Sequence, residues 1–402
     1  MNEIRADIAI VGAGVTGLLL THKLSDLGYD VVLVEKQDVI GAGPSTKNEG
    51  WLHRGTYHAT SISDNAQAIE VAKRCLYGHE AIRRFAPEAV EDIGHPTYAV
   101  VGNDEFADRA TTRWEMAGVS YRPVTTKDFA LVKPHVNTRC IKHIFEVGDV
   151  SINTRMLYHK LVIQSEKKGA RFFLGSHIIP QSHGSAELIG SGGKHTLYAD
   201  MFIITAGYGL QEMFREVTGE DLPVRYWKSH LLVFPRLTKS SIFHLEPGEV
   251  ALFNHGKCSI VGHHEDAVLL EYPDFTVIPE RARESLEATK RLIPCAREYE
   301  QTHMAYGCLK LDVPQLTGQT RSLSATILSA NDYLFALPGK MTEAPYVADM
   351  IAQMVFNEKF EKSATVALRP CDIFKWTRSE VCLDSQHTSK AEKVIDAIPN
   401  VV

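Results

Sequence analysis

The chain has 402 residues, 44% of them hydrophobic and 23% charged, and a formal net charge of −6. Such a length supports a large core and more than one domain, and so ordinary a composition excludes disordered and fibrous classes. The negative balance, with no run of Lys and Arg, argues against nucleic acid as a partner.

Seven cysteines, Cys75, Cys140, Cys258, Cys295, Cys308, Cys371 and Cys382, stand singly. Without a CxxC pair or zinc-like spacing they predict free buried thiols and no metal centre. The opening residues lack the basic, apolar and small-residue sections of a signal peptide. No apolar run approaches the roughly 20 residues needed to cross a bilayer. The expectation is a cytoplasmic protein without a transmembrane segment.

Residues 7–11 read as a buried strand, 15–27 as a helix with Leu18, Leu19, Leu20, Leu24 and Leu27 apolar, and 30–35 as a second buried strand. Gly28 closes the helix. A strand, crossover helix and parallel strand in about 30 residues form the smallest unit of a doubly wound sheet. Gly12-Ala13-Gly14-Val15-Thr16-Gly17 joins the first strand to the helix, and Glu35, followed by Lys36, ends the second strand. In that context the glycine spacing predicts a dinucleotide site. Gly12 permits the tight turn, Gly14 lets backbone approach a pyrophosphate, and Gly17 lets helix and strand pack closely. Val15 begins the helix whose amino terminus faces the anion. Glu35 is placed to accept hydrogen bonds from ribose hydroxyls, and its charge would repel the 2′-phosphate of NADP. Glycine spacing leaves NAD and FAD both open.

Farther along, 150–168 reads as a helix, 170–179 as a strand, and 201–205 as a strand running into Ala206-Gly207. Strand-like alternation recurs at 230–234 and 257–262, within stretches rich in aromatics and prolines. At 332–354 a strand, a Gly-Lys-Met-Thr turn and a helix follow in order. The pattern predicts an α/β protein in which a Rossmann-like nucleotide-binding domain, a doubly wound parallel sheet, is interleaved with a sheet-containing α+β substrate domain. The first would comprise 1–80, 142–215 and 325–358, the second 81–141 and 216–324. Residues 359–402 form an extension with no assigned task.

The stretch Gly43-Pro44-Ser45-Thr46-Lys47-Asn48-Glu49-Gly50-Trp51-Leu52-His53-Arg54-Gly55-Thr56-Tyr57 resembles the segment after the second strand in the D-amino-acid-oxidase-like (DAO) superfamily of FAD enzymes. Its motif is closest to the L-2-hydroxyglutarate dehydrogenase branch, with Glu49 and Arg54 in place of small residues. Gly148-Asp149-Val150-Ser151-Ile152-Asn153, Thr205-Ala206-Gly207 and Leu337-Pro338-Gly339-Lys340-Met341-Thr342 match further family segments in the same order.

The resemblance implies FAD as cofactor. Ser45, Thr46, Lys47 and Asn48 would line its pyrophosphate and flavin, with Thr205, Ala206 and Gly207 beside it. Backbone amides of Gly339, Lys340, Met341 and Thr342 would face the pyrimidine edge of the ring. His53 would lie near the flavin as a base or as its covalent attachment point, and His58 would stand behind it or at the surface. In Gly262-His263-His264, His264 would contact substrate. Ile260 stands where related oxidases carry a lysine that activates oxygen, which leans towards a dehydrogenase. Tyr57, Tyr306, Lys310 and Arg321 would bind a small polar or anionic substrate. The implied activity is hydride transfer from a CH–OH bond to the flavin. Oxidation of CH–NH with peroxide release is the alternative, and a third reading is a non-catalytic flavoprotein subunit. The electron acceptor, whether oxygen, quinone or protein, stays open.

Overall fold

The computed structural model describes residues 2–91, 94–132, 135–181, 184–313, 325–337 and 339–361. Its first sheet has eight strands. The strand Asn2–Val11 lies between Val31–Val34 and Gly193–Ile204, parallel to both, and Tyr333–Leu337 adds a further parallel neighbour to Gly193–Ile204. Arg171–Phe173 extends the other edge beside Val31–Val34. Side chains of a strand alternate between faces. Ile8 and Ile10 therefore join one core with Leu18, Leu20 and Leu24 of the helix Val15–Asp26, while Ala9 and Val11 join another on the opposite face. Covered on both sides, this sheet has the α/β architecture expected, and its strand tips bring the Gly12 turn and Thr205 together.

A second, nine-stranded sheet is mainly antiparallel. Arg225–Pro235 lies next to one edge, pairing with Met304–Asp312 and Val268–Leu270 on that side and with Cys258–His263 on the other. Thr97–Val101, His143–Val147 and Tyr121–Pro123 close its far side. A small three-stranded sheet ties Trp51–Leu52 to Val150–Ile152 and Val90–Glu91.

Local readings needed correction in four places. The stretch expected as one helix from 150 opens as the strand Val150–Ile152. The helix Thr154–Lys167 begins only after Asn153, whose side chain accepts from the Met156 amide and caps it. The strand expected over 170–179 is two, Arg171–Phe173 and His177–Pro180, separated at Gly175 with φ 57°. Asp332 opens no strand. With Asn331 it forms the left-handed turn, φ 47° and 65°, of a hairpin joining Thr326–Ala330 to Tyr333–Leu337. The thiols are not uniformly buried either: Cys75 and Cys308 are, Cys258 and Cys295 are half-buried, and Cys140 is exposed. Cys371 and Cys382, like most of the extension, lie outside the described residues. Among the described residues no helix is long and apolar enough to cross a membrane.

Candidate active site

A cavity of about 890 Å³ runs from the tip of the first sheet to the face of the second. Its wall includes Gly12, Gly14, Val15, Glu35 and Lys36 at one end, with Ser45, Thr205 and Ala206 against that glycine turn and Asn48 and Gly207 also lining it, and His53, Tyr57, His264, Lys310 and the turn Gly339, Lys340, Met341 and Thr342 at the other.

Glycine is required at the first end by contact. A Cβ on Gly12, at φ +104°, would stand 2.7 Å from the Thr205 carbonyl oxygen, and one on Gly17 would stand 1.9 Å from the Gly12 carbonyl oxygen. Gly17 does not face the cavity; it seats the helix against the turn. The Thr205 hydroxyl donates to the carbonyls of Val11 and Gly12, each at 3.0 Å, so it locks two strand tips together. Glu35 accepts from the Ala13 amide at 2.7 Å and the Gln37 amide at 2.9 Å, which fixes its carboxylate at the cavity wall. A close-approach glycine turn, a helix amino terminus and a fixed acid suit a dinucleotide's phosphates and ribose.

Three expected contacts lie elsewhere. The Thr46 hydroxyl turns inward and donates to the Gly41 carbonyl at 2.5 Å. Lys47 is exposed, its ammonium 4.6 Å from the centre of the Phe275 ring. The Tyr306 hydroxyl donates to the Asn48 carbonyl at 3.1 Å and so braces that loop, not a substrate. Asn48 itself is held from within: its amide nitrogen donates to the Pro44 and Ser45 carbonyls and its oxygen accepts from the Gly50 amide. Arg321 and Pro338 lie outside the described residues.

At the other end the imidazoles gather around Trp51. The His53 ring lies 3.9 Å from Trp51 and 4.4 Å from the buried His58, and Tyr57 stacks on His264 at 4.5 Å. Nδ1 of His53 is buried without a hydrogen-bond partner. Desolvation, aided by the nearby Lys340 and Lys310 ammoniums, holds the His53 imidazole well below its usual pKa. Burial takes His264 down to about 3, although its bond to the His244 carbonyl pulls the other way. That bond, 2.6 Å from Nε2, places the proton of the neutral ring on Nε2 and leaves Nδ1 as acceptor. Both rings are therefore neutral near pH 7. Among the described residues no three His, Cys, Asp or Glu side chains gather as a metal-ligand cluster.

Three positioning residues escaped the sequence reading. Asp149, 1% exposed, accepts from the Trp51 indole at 2.9 Å, the Arg54 amide at 3.0 Å and the Thr56 hydroxyl at 2.6 Å, thereby pinning the His53 loop from both sides. Trp51 is the ring on which His53 and Tyr57 lean. Gly78, in the helix Asn65–Phe85, has no room for a Cβ, which would meet the Thr342 carbonyl oxygen at 1.7 Å. The Thr342 hydroxyl in turn accepts from the His53 amide at 3.2 Å. Only the acid of the Gly148-Asp149 pair could have hinted at this brace. Asp149→Ala leaves three donors without their acceptor and is expected to destabilise the fold by roughly 2–4 kcal/mol, read as a lower urea midpoint.

Residues 7–354 match the family model described as FAD dependent oxidoreductase, DAO. The chain belongs to that family. Its cofactor is FAD, and the phosphate- and ribose-binding geometry at the first end of the cavity fits it. Family relatives include one of the subunits of the anaerobic glycerol-3-phosphate dehydrogenase of Haemophilus influenzae, 22% identical over 43% of this chain and 30% of that one. Another is the mitochondrial L-2-hydroxyglutarate dehydrogenase of Arabidopsis thaliana, 29% identical over 21% of this chain and 16% of that one. The chain thus matches less than a third of the length of its curated relatives. In three dimensions it resembles the glycine oxidase of Geobacillus kaustophilus with a TM-score of 0.68 and 18% identity, covering 94% of this chain and 100% of that one. The FAD dependent oxidoreductase fold therefore extends over nearly the whole chain.

Proposed function

We propose that this FAD dependent oxidoreductase oxidises the CH–OH bond of a small 2-hydroxy acid, with His53 as the base. The observation that carries the reading is the neutral imidazole of His53 on the wall of the cavity. FAD supplies the acceptor for the hydride that leaves carbon. A hydroxyl must lose its proton as that hydride departs, and a substrate ammonium must lose one before its amine can react. Two neutral imidazoles at one end of the cavity can take that proton. His53 takes the hydroxyl proton; His264, its Nε2 committed to the His244 carbonyl, offers only an acceptor at Nδ1 and is the alternative base. Lys310 is the cation for the carboxylate, although as a point charge it lacks the two-pronged grip of an arginine. The partial likeness to the L-2-hydroxyglutarate dehydrogenase supports an acid donor.

The remaining wall binds FAD: Gly12, Gly14 and Val15 at the pyrophosphate, Glu35 at the ribose, and the amides of 339–342 at the flavin. We assign the segments that build the eight-stranded sheet to the FAD domain and those of the nine-stranded sheet to the substrate domain. Because His143–Val147 pairs in the latter, the boundary expected at 142 moves beyond 147.

Anaerobic mixing of the purified holoprotein with 2-hydroxy acids is expected to bleach the oxidised flavin band, while amino acids and N-alkyl amino acids leave it intact. Bleaching by amines alone would replace this reading with CH–NH oxidation, and bleaching by no donor would point to a non-catalytic flavoprotein. Acid precipitation separates a base from an attachment point: flavin left in solution fits the base.

A further inference from the structure

We infer that Glu49 makes this site selective for monocarboxylates and turns away dicarboxylates. The inference deepens the proposed function and rests on its reading of Lys310 as the carboxylate's partner.

Glu49 and Lys310 both line the cavity, 3.5 Å apart, with side chains 21% and 28% exposed. Lys310 is close enough to His53, and Glu49 to His264, for each charge to act on the neighbouring imidazole. The pair thus stands at the reacting end and not at the phosphate end. Gly262, on the facing strand, makes room for it: a Cβ there would lie 3.2 Å from Glu49 Oε1.

The backbone under Glu49 is held at several points. Its carbonyl faces His255 Nε2 at 2.8 Å, and His255 Nδ1 is bound by Glu91 at 2.5 Å. The preceding carbonyl accepts from Tyr306, and Gly50, at φ 61°, packs so tightly that a Cβ would meet His255 Cε1 at 2.3 Å. A carboxylate on so fixed a base acts as a standing negative charge in the cavity.

One substrate carboxylate can exchange for Glu49 on the Lys310 ammonium. Among the described residues a second finds no cation of its own. Among the described residues, every other Lys or Arg on the cavity wall already faces an acid: Lys36 with Glu212, Lys228 with Asp274, Lys340 with Glu343 and Arg215 with Asp221. The two imidazoles are neutral and offer no charge. A second carboxylate would be desolvated beside Glu49 with no counterion among the described residues, and like charges placed together in a cavity are strongly disfavoured. In the family motif that this segment resembles, the residue at this point is small.

The test uses flavin absorbance to titrate holoenzyme with two unreactive acids of equal length, pentanoate and glutarate. The wild type is expected to bind pentanoate at least about tenfold more tightly than glutarate, and Glu49→Gln to bring the two within about threefold, mainly by improving glutarate. Glutarate binding as tightly as pentanoate in the wild type would overturn the inference, as would a ratio unmoved in both Glu49→Gln and Glu49→Ala. Lys310→Met separates the layers. Unchanged pentanoate binding there would remove Lys310 as the carboxylate's partner, whereas a loss of about tenfold or more with an unmoved ratio in the Glu49 variants would sink the Glu49 inference alone.

Discussion

Gly17→Ala is expected to strip the protein of flavin. The new methyl would sit 1.9 Å from the Gly12 carbonyl oxygen and 2.7 Å from the Thr205 hydroxyl. Neither neighbour can yield. Gly12 sits in the dinucleotide turn itself, and the Thr205 hydroxyl holds two strand tips together. The helix must move away from the strand, carrying with it the backbone of Gly14 and Val15 that we propose at the pyrophosphate. Overpacking of this kind costs about 1–3 kcal/mol, occasionally more, which corresponds to a loss of flavin affinity of roughly fivefold to more than a hundredfold. Gly28→Ala is the control. Gly28 ends the same helix at φ +89° but has open space at its Cβ position, so the strain there is local. Equilibrium dialysis should show the first variant colourless at flavin concentrations that saturate the second.

His53→Ala is expected to slow flavin reduction by 2-hydroxy acids about 10²- to 10⁴-fold, the usual contribution of a general base, with flavin binding intact. The pH profile adds a sign. Proton abstraction requires the neutral ring, and burial holds the His53 pKa well below 6.5, so the ring stays neutral as pH falls through that value. The rate of reduction in the wild type should therefore be flat from about pH 8 to about pH 5.5, where an ordinary imidazole would be mostly protonated. A rate that halves near pH 6.5 would mean that an unperturbed group is the base. A His53→Ala variant as fast as the parent would remove His53 from the chemistry.

The parts of the fold that were legible in the sequence are those whose signal is local. Gly12 to Gly17, the leucines of the helix and Glu35 lie within one strand–helix–strand unit, so their spacing alone places them on one sheet tip. The strands at 230–234 and 257–262 were also legible from their apolar residues, although both are buried along nearly their whole length and not on alternate residues. What stayed hidden depends on pairing across the chain. Val150–Ile152 is a strand because it pairs with Trp51–Leu52 and Val90–Glu91 far away in sequence. Asp149 braces the His53 loop from 95 residues away and Thr342 from 289. Tyr306 and Lys310 alternate onto one face of a strand, yet one hydroxyl is spent on the Asn48 carbonyl and only the ammonium reaches the cavity. No spacing rule distinguishes those outcomes, since each is set by which loop happens to lie opposite.

The most direct measurement is a structure of the holoprotein with FAD and a slowly reacting 2-hydroxy acid, obtained without oxygen. The account predicts the substrate hydroxyl within about 2.6–3.2 Å of a ring nitrogen of His53, the carboxylate on Lys310, and the hydrogen-bearing carbon facing the flavin. A hydroxyl pointing away from both imidazoles, with the acid held elsewhere in the cavity, would contradict it.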